Sequence, residues 1–215
     1  MRMSIASLSL LTVCCLMLTV APAMAGTLYS NGPYNGTTDA WTINFGFSVS
    51  DSFTVPTNSS VEGLSFVYWD ASSTDLLTTT DLAFGTTSFG SDLGTRTGVA
   101  FTSTFLGANQ YGYNLYEASG TFLGIVAEGC PPSPIVCYVT LSNACSTSGC
   151  SVSNPIYWDE NSGPSTAYEN TLGSIPSEAF TLTGLTGTTP EPSSILLFGS
   201  GMLGLVGILR RKLGR

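Results

Sequence analysis

Eight consecutive residues, Tyr157-Trp158-Asp159-Glu160-Asn161-Ser162-Gly163-Pro164, hold the densest chemistry in this 215-residue chain. Acids beside aromatic rings are the side-chain types of sugar chemistry. A carboxylate pair at a set distance cleaves a glycosidic bond, whereas rings stack on sugar faces and acids hydrogen-bond their hydroxyls. Spacing argues against cleavage by this pair. Neighbours on a strand point to opposite faces, so Asp159 and Glu160 cannot flank one bond unless a turn brings them round. The structural alternative is a strand ending in an Asx-type turn, with Trp158 in the core and Asn161–Pro164 as loop. Trp158, Asp159, Glu160 and Asn161 therefore form the candidate ligand surface. Asp159, Glu160 and Asn161 are also the first candidate for a structural calcium ion, because a hard cation wants clustered oxygens. Asp39, Asp51, Asp70, Asp75, Asp81 and Asp92 offer further carboxylates, but none sits in a D-x-D-x-D-G loop.

Other routes to catalysis are closed. The chain has no histidine, which removes Ser-His-Asp, Cys-His and zinc-peptidase mechanisms together. Its one lysine, Lys212, lies in a basic C-terminal tail, so a Ser-Lys dyad is excluded too. Gly85-Thr86-Thr87-Ser88-Phe89-Gly90 lacks the spacing of a nucleophile elbow. The expectation is a protein without enzymatic activity. A carbohydrate-binding module that stacks sugars on Trp69, Trp158, Tyr111 and Tyr113 is the alternative, and a glycosidase the least favoured reading.

Charge narrows the partners. Between Gly26 and Thr189 lie thirteen acids and one base, Arg96. With a single cation against thirteen acids, such a surface cannot displace counterions from phosphate, so nucleic acid is excluded. Anionic lipid or polymer held through ion pairs is excluded on the same ground. Cys130, Cys137, Cys145 and Cys150 are the four cysteines of this segment. An even count in an exported chain reads as two disulfides. The short loops between them favour the pairings 130–137 and 145–150 over the crossed ones. A zinc site would lack both CxxC and histidine.

Strands must position these residues. Trp41, Ile43, Phe45, Phe47 and Val49 alternate with Thr42, Asn44, Gly46 and Ser48, the period of a half-buried strand. Asp51-Ser52 interrupts it before Phe53–Val55. Leu64–Trp69 is apolar on both faces and reads as a central strand. Val99 to Phe105, Tyr111 to Leu115, Phe122–Val126, Tyr138–Leu141, Ile156–Trp158 and Ala179–Leu182 complete the set. No helical period appears away from the two apolar ends, and no internal repeat. The expected fold is all-β: an antiparallel β-sandwich, jelly-roll-like or immunoglobulin-like, followed by one C-terminal transmembrane helix.

The two ends are addresses. Met1–Ala25 combines Arg2, an apolar run from Ile5 to Val20, and small residues at Ala23 and Ala25, which is a secretory signal peptide cleaved before Gly26. The exported domain spans 26–183 and a flexible linker 184–189. Residues 190–215 then carry Pro190-Glu191-Pro192, the uncharged stretch Ser193–Leu209, and Arg210, Arg211 and Lys212. As a helix, 193–209 is roughly 26 Å long, close to a hydrocarbon core of about 30 Å. The basic cluster stops transfer and keeps the tail in the cytoplasm. The precursor is thus expected to pass the Sec translocon and hang from the inner membrane by a single span, its domain outside.

Thr189-Pro190-Glu191-Pro192-Ser193-Ser194, followed by Leu196-Leu197, Gly199, Gly201, Gly204-Leu205, Gly207 and Arg210-Arg211, resembles the PEP-CTERM protein-sorting signal of Gram-negative bacteria. Thr189 stands where a small apolar residue is usual. The resemblance covers only the C-terminal end. It implies recognition by an exosortase, a membrane transpeptidase-like enzyme that cuts near Pro-Glu-Pro. Pro190, Glu191 and Pro192 are then substrate residues, and the product leaves for the cell envelope or the exopolysaccharide matrix. Gly36–Trp41 and Tyr157–Pro164 are also similar to uncharacterised domains that accompany such tails, a likeness that brings no activity.

Overall fold

Period-two patterning dominates the chain, and strands are what the described residues form. The computed structural model describes residues 25–126, 136–150 and 154–186. Residues 1–24 of the expected signal peptide lie outside them, as does everything from 187 on: the sorting motif, the expected helix 193–209 and the basic stop.

In chain order the strands are β1 (Gly26–Ser30), β2 (Ala40–Thr42), β3 (Ser48–Phe53), β4 (Ser60–Asp70), β5 (Leu77–Gly85), β6 (Gly94–Ala100) and β7 (Thr102–Ala108). They continue with β8 (Asn114–Val126), β9 (Cys137–Ser146), β10 (Ile156–Asn161), β11 (Ala167–Glu169), β12 (Gly173–Ile175), β13 (Ser177–Glu178) and β14 (Phe180–Leu185). Four antiparallel pairs are nested: β1 with β14, β3 with β9, β4 with β8, and β5 with β6. Folding over, this ladder gives one sheet containing β1-β14-β4-β8-β7 and a second with the order β12-β11-β3-β9-β5-β6. Such nesting of eight strands is a jelly roll, not the immunoglobulin arrangement. β10 joins the first sheet beside β4, pairing Ile156–Trp158 with Tyr68–Asp70.

The sheets meet face to face. Tyr29 of the first packs on Phe53 of the second, and Phe84 of the second on Phe122 of the first. One continuous core results, with Trp158, Phe66, Tyr68, Leu141 and Leu182 fully buried at its centre.

Local chemistry departs from simple alternation in four places. The expected strand from Trp41 to Val49 is broken at Asn44-Phe45-Gly46, where Phe45 and Gly46 both have positive φ (60° and 88°) and Phe47 N–H closes a turn on the Asn44 carbonyl. That turn sends β2 and β3 to different sheets. Asp51-Ser52 does not interrupt β3, since both lie inside it. Val99–Phe105 is two strands hinged at Phe101, because the chain crosses from one sheet to the other there. β14 runs to Leu185, so Gly184 and Leu185 pair with Val61 and Ser60 instead of opening a linker.

Cys145 and Cys150 form the expected local disulfide. Cys137 is buried and also disulfide-bonded, while Cys130 lies outside the described residues. Cys145→Ser opens a small loop, and the chain-entropy relation gives a loss of roughly 2 kcal/mol for one this short. Urea unfolding of the variant checks this; an unchanged midpoint would contradict it.

Candidate functional site

The four candidate ligand residues on β10 are buried on both faces of the strand instead of being presented. Trp158 is completely buried, edge-on to Phe66 and Phe180, with its indole N–H donated to the Ala179 carbonyl at 3.0 Å. Asp159 lies on the opposite strand face, yet it too is 0 % exposed. Its carboxylate accepts Trp69 Nε1–H at 2.5 Å and the backbone N–H groups of Asn35 and Gly36, each at 2.8 Å. Burial raises its pKa, and those three donors oppose the rise. Asp159 therefore acts as a clasp that holds the Asn31–Thr38 loop against the sheet.

Glu160 faces inward with Trp158. Among the described residues its side chain accepts one long bond, from Trp41 Nε1–H at 3.4 Å, and burial raises its pKa. Asn161 Oδ1 accepts Ser177 O–H and Gly163 N–H, while Nδ2 donates to the carbonyls of Asn31 and Pro33. The four residues thus brace loops and core, and the expected open ligand surface is not there. Asp159 and Glu160 point to opposite sides, as strand geometry requires. Among the described residues no three acidic or cysteine side chains converge as a metal cage would.

Two further acids are fully buried: Asp51, one of the carboxylates offered for a cation, and Glu178, which sequence reasoning passed over. Asp51 follows the inward row of Val49 and Phe53, and Glu178 that of Phe180 and Leu182. The period-two signal was present for both, but acids were not expected on core rows. Asp51 reaches between the sheets to accept Glu178 N–H at 2.7 Å and also takes Ser52 N–H at 2.6 Å. Asn31, fully buried, is the hub: its Nδ2 lies 2.6 Å from Ser165 Oγ and from the Glu178 carbonyl, and 2.9 Å from Ser177 Oγ. Both carboxyl oxygens of Glu178 are buried without a hydrogen-bond partner. Burial, then the nearby charge of Asp51, raises its pKa well above the carboxylate range. Burial likewise pushes Asp51 up to about 6, and Tyr29 beside it to about 12. This setting favours the protonated form of Glu178, since an unpaired buried charge is costly.

Of the candidate stacking rings, Trp69, Tyr111 and Tyr113 come together, and Trp158 does not join them. Tyr111 stacks on Trp69 at 5.9 Å and Tyr113 tilts against it, with Tyr157 edge-on to Tyr113. Trp69 is nearly buried beneath, while Tyr111 is 55 % exposed and anchored by its hydroxyl on the Thr37 carbonyl. Arg96, the single base among the described residues, donates to the carbonyls of Leu123 and Gly124 on β8.

Compared with known families, residues 188–212 match the model of the PEP-CTERM protein-sorting motif. No curated protein matches the chain. The chain is therefore a jelly-roll domain followed by a PEP-CTERM sorting motif.

Proposed function

We propose that this protein is a non-enzymatic exported component of the cell envelope or extracellular matrix, delivered by its sorting motif and cut by an exosortase. The observation that carries the reading is the motif at 188–212. The signal peptide is removed before Gly26. Ser193–Leu209 holds the precursor in the inner membrane with Arg210, Arg211 and Lys212 in the cytoplasm, and cleavage falls near Pro190-Glu191-Pro192. The mass of the C-terminal peptide of the mature protein from its native host tests this directly. A chain ending between Pro190 and Ser193 is the expected result, with accumulation of the uncut form when exosortase is deleted. An end at Arg215 in the wild-type host would replace processing by a permanent anchor.

A second reading, carbohydrate binding, is favoured by the outer-face rings Trp69, Tyr111, Tyr113 and Tyr157. Rings combined with hydroxyl and amide groups are the surface chemistry that sugars meet. The purified protein on a broad glycan panel, with and without calcium, should retain at least one glycan. Complete absence of binding under both conditions would dismiss it.

A further inference from the structure

The outer face of the first sheet is paved with hydroxyls. Strand register places Ser30, Thr181, Ser65, Ser119 and Thr102 in one row across β1, β14, β4, β8 and β7. Thr27, Thr183, Gly63 and Thr121 form the next row. The Ser and Thr residues of both rows are exposed or half-buried. At about 4.8 Å per strand, the longer row extends for about 19 Å. A cleft of about 450 Å³ lies over its middle, where Ser65, Ser119, Thr102, Thr121 and Thr183 share the lining with Leu64, Ala100 and Gly120. A second cleft, of about 220 Å³, adjoins it at Ser65 and is walled by Tyr34, Leu106 and Glu117. Gly63 lets β14 and β4 pair closely in the second row, since a Cβ there would collide with Thr183 Oγ1.

Neither cleft contains a base, and Glu117 is the only acid. Ion pairing cannot hold an anionic polymer here. Each hydroxyl both donates and accepts, so rows of them suit a neutral chain that carries its own hydroxyls at intervals. We propose that a neutral polysaccharide lies across β14, β4, β8 and β7 in this cleft, with the exposed ring of Tyr34 beside one end. The proposal rests on the carbohydrate-binding reading above and places its site away from the Trp69–Tyr111 cluster.

Affinity electrophoresis of the full-length protein in detergent tests it, using gels cast with neutral glucan, neutral mannan, anionic alginate or cationic chitosan. Retardation by at least one neutral polymer, unaffected by high salt, is the expected result. Ser119→Trp fills the cleft from an exposed position and Ser65→Trp from its junction. Each should weaken binding by about tenfold or more, while Leu172→Ser, in the exposed turn between β11 and β12 of the other sheet, stays within about twofold. If Tyr111→Ala abolishes retardation and Ser119→Trp does not, the ring cluster is the seat. This inference then falls while the carbohydrate reading stands. No retardation by a neutral polymer, or retention by chitosan alone that salt removes, sinks this inference.

Discussion

Replacing Glu178 by glutamine raises the melting temperature at pH 8 by roughly 10 °C and leaves it close to wild type near pH 4.5. Both oxygens of Glu178 are buried and unpartnered, and the charges around it, Asp51 first and then Glu160, Asp159 and Asp39, are all negative. Its folded-state pKa lies well above the unfolded value, so the folded protein holds the proton more tightly than the unfolded chain. The stability this contributes is complete below the unfolded value of 4.5 and is lost as pH rises through the folded one. Asp51 acts with the same sign between the ordinary aspartate value of 3.8 and about 6. Asp75, held down to about 2 by Ser146, Thr147 and Ser148, has the opposite sign, but it lies at the exposed surface where solvent screens it. A buried charge left without compensation costs roughly 3–5 kcal/mol. For a domain of this size each kcal/mol moves the melting temperature by about 2–4 °C. Glutamine keeps the shape of the neutral acid and removes the titration. Melting curves from pH 4 to 9 decide the matter: wild type and Glu178→Gln running parallel would show that the proton is not on Glu178.

Asp159→Ala costs about 3–5 kcal/mol and frees the Asn31–Thr38 loop. The substitution strands three donors at once: the indole N–H of Trp69 and the backbone N–H groups of Asn35 and Gly36. A buried donor without an acceptor loses its full hydration, which exceeds the net worth of the bond it made. Hydrogen exchange supplies the readout specific to a clasp, because the amides of Asn35 and Gly36 should lose protection before the β4–β8 ladder does. Trp69 fluorescence should shift to the red as its covering loop lifts. Asp159→Asn retains an acceptor and should fall between wild type and alanine. Unchanged protection at Asn35 and Gly36 in Asp159→Ala would remove the clasp from consideration.

The aromatic cluster shows why the site was only partly legible. Trp69, Tyr111 and Tyr113 were recognisable as rings on strand-like segments. That Tyr111 would cover Trp69 depends on the turn at Asn109, whose Oδ1 accepts the N–H groups of both Tyr111 and Tyr113. Trp158 was ambiguous for a different reason. A strand with acids on successive positions gives no face preference, and packing against Phe66 and Phe180 chose the interior. β5 was missed because three threonines and Asp81 hide its alternation. Asp81 is accommodated at a break in register, where it accepts Gly98 N–H and Asn143 Nδ2–H.

From residue order alone followed the all-β class, the local pairing of Cys145 with Cys150, and the sorting motif. Each rests on composition or on residues close in sequence, where strand period, loop length and residue type act directly. Only the tertiary structure decided the jelly-roll nesting, the meeting of Asp51 with Glu178, the clasp at Asp159 and the hydroxyl rows of the outer sheet. These depend on partners as distant as Gly26 and Gly184. Register between such strands is set by the packing of two whole faces, which no local pattern encodes.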